Sequence, residues 1–193
     1  MRIVGGTWRG RALQAPSGRE VTRPTTDRMR ESFASMLLSA FDLDLSEVSV
    51  LDAFAGSGAL GLEMLSRGAA HATFVEMDRG ALACVQANLR AIGVERHRAA
   101  VVKGDVFKLA RRAQVAGTPF SLVLLDPPYA TEAARVSALV RELVEAGFVA
   151  DDAVVLYERA REAESLDLQS VLLSTREHGA TAVDLLRLGS IDR

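Results

Sequence analysis

Lysine is almost absent from this chain: of 23 basic residues only Lys103 and Lys108 are lysines. Cysteine is scarcer still. The single Cys84 excludes an intrachain disulfide framework and a cysteine-based metal cluster. Its setting, AlaCysValGln in a helical-looking segment, reads as a small buried apolar residue rather than a nucleophile. The three histidines, His71, His97 and His178, are scattered, which argues against a metal site or a histidine base. No run approaches the ~18 uninterrupted apolar residues that a membrane span needs. The opening MRIVGGTWRGRAL also holds no apolar stretch long enough for a secretory signal. The expectation is a cytoplasmic protein with no membrane attachment and no metal.

What is present is an ordinary globular composition. With 193 residues, 49% hydrophobic and 25% charged, the chain suits one domain with a small appendage. The net charge of −2 conceals an asymmetry. Residues 1–30 carry Arg2, Arg9, Arg11, Arg19, Arg23, Arg28 and Arg30 against Glu20 and Asp27, a balance of +5, so the remaining 163 residues sum to −7. A basic arm on an acidic body suits contact with a polyanion, and a solvated terminus in an arginine-rich chain is the plainer alternative.

From residue 48 short apolar runs alternate with helical patterns. Strands are expected at 48–55, 72–77, 99–104, 121–126 and 153–158. Helices are expected after the glycine turn to 67–69, then over 81–92, 106–115 and 132–146. That alternation means a parallel sheet covered on both faces. Residues 172–177 and 182–188 read instead as two strands around a short turn, an antiparallel edge hairpin. Before residue 41 the chain reads as a small glycine-turned hairpin. A helix capped by Thr25, Thr26 or Asp27 follows, with Met29, Phe33, Met36, Leu37 and Ala40 on one face. The expected fold is α/β and doubly wound, mostly parallel, with residues 1–40 as a basic extension and 41–193 as the catalytic domain.

Asp52-Ala-Phe-Ala-Gly-Ser-Gly-Ala-Leu-Gly61 follows the first strand and opens a helix. Gly56, Gly58 and Gly61 satisfy G-x-G-x-x-G, and Glu76 ends the next strand twenty residues after Gly56. In a nucleotide-binding reading the glycines let the backbone approach a ligand, and the acid accepts from ribose hydroxyls. Asp52 separates two cofactors. A dinucleotide pyrophosphate is anionic and fits poorly beside a carboxylate. S-adenosylmethionine carries a sulfonium and an ammonium, which an acidic strand end suits. Asp105 ends the third strand and can accept from an adenine amine, with the Val106 N–H beside it. Singly, each acid is as readily a helix cap or a solvated turn residue.

Asp126-Pro127-Pro128-Tyr129 ends the fourth strand. In a doubly wound sheet the first and fourth strands flank the point where strand order reverses, so their carboxyl ends share a crevice. The quartet suits methyl transfer to an exocyclic amine of a nucleobase. The Asp126 carboxylate and Pro127 carbonyl accept its N–H groups, the prolines stiffen the loop, and Tyr129 offers a stacking face. Tyr157-Glu158 ends the fifth strand, where it either rims the pocket or serves packing.

These motifs resemble those of class I S-adenosylmethionine-dependent methyltransferases. More narrowly, the chain resembles the RsmD family, which methylates the N2 amine of a guanine in small-subunit (16S) ribosomal RNA. The resemblance covers nearly the whole chain. It is carried by MetArgIleValGlyGly with ArgGlyArg, by ArgProThrThrAspArgMetArgGlu (23–31), by residues 52–63 and by 126–129. It implies a seven-stranded Rossmann-like sheet and a chain for which a monomer suffices. S-adenosylmethionine would be consumed and S-adenosylhomocysteine released. Glu76 with Met77 would hold the ribose, Asp105 and Val106 the adenine, and Phe54, Ala55, Gly56, Ser57 and Gly58 the methionine end beside Asp52 and Asp126. Asp126, Pro127, Pro128 and Tyr129 would handle the guanine. Arg9, Arg11, Arg23, Arg28 and Arg30 would meet RNA phosphates, as free RNA or within an assembling particle. Trp8 either stacks on RNA or forms the core of its hairpin. Residues 32–37 depart from the family's bulkier run. The rival functions are the same chemistry on DNA adenine N6 or a protein glutamine amide, a dinucleotide oxidoreductase, and a non-catalytic RNA-binding assembly factor.

Overall fold

The computed structural model describes residues 1–16, 27–115, 117 and 119–189. Arg23, the cap candidates Thr25 and Thr26, and most of the ArgProThrThrAspArg segment lie outside the described residues.

Helix α1 (Asp27–Ala40) precedes an alternation of β1 (Ser49–Asp52), α2 (Ala59–Ser66), β2 (His71–Glu76), α3 (Arg79–Ile92), β3 (Ala99–Lys103), α4 (Val106–Arg111), β4 (Phe120–Leu125), α5 (Ala133–Glu145) and β5 (Val149–Ala160). The hairpin β6 (Ser170–His178) and β7 (Thr181–Leu188) closes the fold. The seven strands lie in the order β3-β2-β1-β4-β5-β7-β6. β3 through β5 pair in parallel, and β7 pairs antiparallel with both β5 and β6. Strand order therefore reverses between β1 and β4, as the alternating pattern implied.

The pleat divides the core in two. Val50, Phe74, Leu122, Leu124, Val154 and Leu156 face one layer, which α1, α2 and α3 cover. Leu51, Val75, Val123, Leu125, Val155 and Tyr157 face the other, under α4 and α5. These runs are apolar on both faces because both faces are buried. One strand and one helix differ from expectation at their ends. β5 begins four residues earlier than its apolar run, since Val149 still pairs with Phe120 across a register shift. α4 is one short turn, because Arg112 leaves helical geometry and Ala113 takes a left-handed φ of 49°.

The first residues share the core of the sheet. Arg2 bridges Ala12 antiparallel, and Ile3 and Leu13 insert into the same layer as Phe33 and Leu37. Val4 N–H donates to buried Glu63 of α2, and Trp8 N–H to Ser66 Oγ, 2.9 Å each. In α1 the departure at 32–37 does not prevent packing: Phe33, Ala34, Met36 and Leu37 are all buried. The Phe33 ring meets the edge of His178, whose Nε2 lies 3.3 Å from Ser32 Oγ, so the β6–β7 turn is pinned to α1. Among the described residues no helix is long and apolar enough to cross a membrane.

Candidate active site

β1 lies between β2 and β4, and the register carries their tips past it. Asp52 stands opposite Phe74 on one side and Leu124 on the other. Glu76 and Asp126 are each two residues further on, so their side chains emerge on the face that Asp52 occupies. Leu124 stands opposite Leu156, which puts Glu158 on that same face beside Asp126. Four acids thus line one face of the sheet's carboxyl edge in the order Glu76, Asp52, Asp126, Glu158.

The glycine loop is built on two of them. Gly56 N–H donates to Glu76 Oε2 at 2.8 Å, and Gly61 N–H donates to Asp52 Oδ2 at 3.1 Å. Glu76 also accepts the Asp78 N–H, which starts α3. Gly58 takes a left-handed φ of 77° where α2 begins and supplies no side-chain cap, so within the first turn of α2 it is Asp52 that takes an amide, that of Gly61. Gly61 has a different necessity: a Cβ there would stand 2.5 Å from Phe74 Cε1 and 3.0 Å from Asp52 Oδ2. Helix and strand approach so closely that only glycine fits.

Burial pushes the Asp52 carboxyl up to about 7, against the pull of the Gly61 N–H and with help from the Asp126 and Glu76 charges. Asp126 keeps a solvent-exposed side, yet the crevice walls crowd water from its carboxyl and push it above the ordinary carboxylate range. Glu158, buried, is raised by desolvation and then by Asp126 beside it. Such a row repels anions and suits a ligand that carries positive charge or N–H donors.

The rest of the expected cofactor set surrounds this row. Phe54, half-buried, packs on Phe107 at 5.8 Å between centroids, and Arg135 lies 4.0 Å over the Phe107 ring. Ala55 N–H donates to Val75 O, and Ser57 is held through its carbonyl by Asn88 Nδ2 at 2.9 Å. Met77, just past Glu76, is 66% exposed, an apolar surface with nothing over it. Asp105 is half-buried and caps α4 by accepting the Phe107 N–H at 3.0 Å, while Val106 opens that helix.

After β4 the chain turns tightly, with Thr131 N–H on Pro128 O at 2.8 Å. Tyr129 is 54% exposed, but its hydroxyl is tethered to Thr181 Oγ1 at 3.1 Å. The ring is fixed at one end and open on its face. Asp126 makes no side-chain hydrogen bond or ion pair with a described residue.

The basic arm divides. Arg9, Arg11 and Arg28 are exposed. Arg30 is not available to RNA: it is 2% exposed, and donates to Arg2 O at 3.0 Å and to Asp27. Its position one helical turn from Phe33 and Ala34 turns it inward, where the Asp27 carboxylate and the Arg2 carbonyl accept from its Nη2. Trp8 is half-buried against the core, with Arg98 5.7 Å from its ring centroid, which favours the hairpin-core alternative. Cys84 is half-buried on α3 rather than buried. Asn88 was not singled out by sequence. Its signal was present, for Ala81, Val85, Asn88 and Ile92 form the buried face of α3 with one polar member. It accepts the Gln14 N–H and donates to Gln14 O and Ser57 O, tying the N-terminal segment to the glycine loop. Among the described residues no group of three or more His, Cys, Asp or Glu side chains is arranged to hold a metal.

Comparison with known proteins agrees with this geometry. The protein family described as conserved hypothetical protein 95 matches residues 1–187. The ribosomal RNA small subunit methyltransferase D of Escherichia coli is 38% identical over 158 residues, 82% of this chain and 74% of that protein. YlbH of Bacillus subtilis is 35% identical over 97% of this chain and 98% of its own. A solved structure of yhhF from Escherichia coli superposes with a TM-score of 0.79 at 35% identity, covering 99% of each chain.

Proposed function

Since this chain belongs to the RsmD family, whose matching description is conserved hypothetical protein 95, we propose that it transfers a methyl group from S-adenosylmethionine to the N2 amine of a guanine in small-subunit ribosomal RNA. The observation that carries this reading is the juxtaposition of the β1 glycine loop with Asp126-Pro127-Pro128-Tyr129 across the reversal point of the sheet.

The residues present fit the cofactor. The strand tips offer the carboxyls of Glu76, Asp52, Asp126 and Glu158, with exposed Lys103 at the end of β3 opposite Glu76. That acidic balance suits a sulfonium and an ammonium and disfavours a pyrophosphate. At Gly56, whose N–H is held by Glu76, the space a Cβ would occupy is open, with the nearest atom 4.0 Å away. Glu76 would hold ribose hydroxyls, Asp105 and the Val106 N–H the adenine, and Phe54 to Gly58 with Asp52 the methionine end, with Met77 against the ring system. When bound, S-adenosylmethionine supplies an electrophilic methyl group.

The chain's own residues prepare the acceptor. A guanine amine is a poor nucleophile because its lone pair is delocalised into the ring. Asp126 and the Pro127 carbonyl accept its two N–H hydrogens, which fixes its direction and favours the more tetrahedral nitrogen that attacks. Positive charge developing on that nitrogen is stabilised by the same oxygens, and once the methyl group has transferred one N–H proton leaves, through Asp126 to water. The Tyr129 ring, tethered by Thr181, gives the extruded base a face to stack on. Pro127 and Pro128 keep the loop from relaxing away. Exposed Arg9, Arg11 and Arg28 would neutralise RNA phosphates outside the crevice. A ribosomal RNA substrate would put the reaction in the cytoplasm, on free RNA or an assembling particle, and a monomer would suffice.

Mass spectrometry of small-subunit ribosomal nucleosides from cells lacking the protein tests the reading. One N2-methylguanosine should disappear and return with the wild-type gene. An unchanged nucleoside profile, with methyl groups appearing instead in DNA or protein, would move the acceptor elsewhere. Titration with S-adenosylhomocysteine against NADH checks the cofactor.

A further inference from the structure

We infer that Glu158, at the carboxyl end of β5, accepts the N1–H of the target guanine beside the amine held by Asp126, and is the residue that distinguishes guanine from adenine. The inference rests on the guanine-N2 reading above and names how that site selects its base.

Glu158 is placed for this by register. Leu125 stands opposite Tyr157, so Asp126 and Glu158 leave adjacent parallel strands side by side on one face. Glu158 is 7% exposed, and no described residue gives its side chain a hydrogen bond or ion pair. The neighbouring cation does not serve it. Arg159 turns to the opposite face and binds Asp184 at 2.7 Å. Asp184 makes the contrast plain: this acid, 1% exposed, also accepts from Thr175 at 2.7 Å. Asp184 is satisfied within the fold, whereas the Glu158 carboxyl, on a residue only 7% exposed, takes no donor from the described residues and is left to meet a ligand. It borders a small recess with Pro127, Pro128, Tyr129 and Tyr157, beside the tethered ring.

The missing donor has a chemical identity. Of the four RNA bases, only guanine presents two adjacent donor positions on its pairing edge, N2–H2 and N1–H. Adenine sets its amine beside an unprotonated N1, and cytosine sets its amine beside N3. Two acceptors on adjacent strand tips complement the guanine edge and repel the other two. Burial and the neighbouring Asp126 disfavour the ionised form of Glu158 in the free protein. Arriving N–H donors reverse that balance, so base capture and formation of the acceptor pair reinforce each other. Leaving a buried acceptor against an acceptor is the device by which polar sites reject isosteres.

The test uses the full chain and a small-subunit RNA, reassembled with subunit proteins if the wild-type protein requires the particle. The position that wild type methylates is first mapped, then replaced by 2-aminopurine, which keeps the 2-amine but has no hydrogen on N1. Wild type should prefer guanine by ~10²-fold in kcat/KM. Glu158→Gln can turn an N–H toward the bare N1, so it should lose on guanine, gain on 2-aminopurine and bring the two within about fivefold. Glu158→Ala should lose on guanine without gaining on the analogue. A wild-type protein that methylates both purines alike overturns the inference, whatever the variants do. So does a natively melting Glu158→Gln that keeps the wild-type ratio. If wild type methylates no guanine at all, the parent reading fails instead.

Discussion

Replacing Asp126 with alanine removes the acceptor that aims the amine, while the glycine loop, Glu76 and Asp105 stay in place. Turnover should fall by ~10²–10³-fold, with S-adenosylhomocysteine affinity within about threefold of wild type. Retained turnover would falsify the role of Asp126. Asp52, one strand over, gives a prediction of opposite kind. Its carboxyl is raised from 3.8 to about 7 by burial. Between those values the folded chain holds a proton that the unfolded chain gives up, so stability falls as pH rises through that window. Asp52→Asn keeps an acceptor for the Gly61 N–H and carries no charge. It should match wild type near pH 4 and exceed it by about 2 kcal/mol or more at pH 8, several degrees in melting temperature. A melting difference that stays constant from pH 4 to 8 would show that Asp52 is not held protonated. The same variant should bind cofactor less well, since the buried charge serves the ligand rather than the fold.

Elements were legible where one constraint dominated. The strands read directly because both sheet faces are buried, and the end of α3 read directly because Gly93 closes it, whereas its start, expected at residue 81, lies at Arg79 behind the Asp78 cap. Less legible were features set by partners distant in sequence. The early start of β5 depends on Phe120, and the inward turn of Arg30 on Asp27 and Arg2. The G-x-G-x-x-G pattern carried both kinds of information, since Gly58 answers a local φ and Gly61 a helix–strand contact. Gly61→Ala should cost about 1–3 kcal/mol, because Phe74 is a buried ring with no room to retreat. Displacement of α2 should also weaken S-adenosylhomocysteine binding. If calorimetry finds stability and affinity both unchanged, the close approach of α2 to β2 is not what selects glycine. Asn88→Ala tests the join between hairpin and loop. It should loosen residues 1–16 to proteolysis and lower cofactor affinity together, and loss of one without the other would separate them.

For the whole molecule, the charge asymmetry seen in sequence becomes a division of surfaces. The acids lie along the carboxyl edge of the sheet, where cofactor and base are proposed to bind, and the exposed arginines lie on the N-terminal hairpin and α1. Composition foretold the division but not its membership. Of the seven arginines in residues 1–30, Arg2 pairs with Asp27 and Arg30 is buried, so Arg9, Arg11 and Arg28 are the described members open to RNA. The hairpin runs along α2, with Gln14 tied through Asn88 to the glycine loop and Trp8 bonded near the far end at Ser66. An eight-residue helix is ~12 Å long, so Arg9 acts about that far from the crevice. It can grip backbone phosphates but not the reacting base. Arg9→Ala with Arg11→Ala should therefore weaken RNA binding and reduce the slope of log affinity against log salt by about 1.5–2. The turnover rate at saturating RNA should stay within about twofold of wild type. A full salt slope in the double variant would remove the hairpin from the RNA interface. A fall in saturated turnover would instead mean that the arm reaches through Asn88 to the cofactor loop, a route that Asn88→Ala should then reproduce.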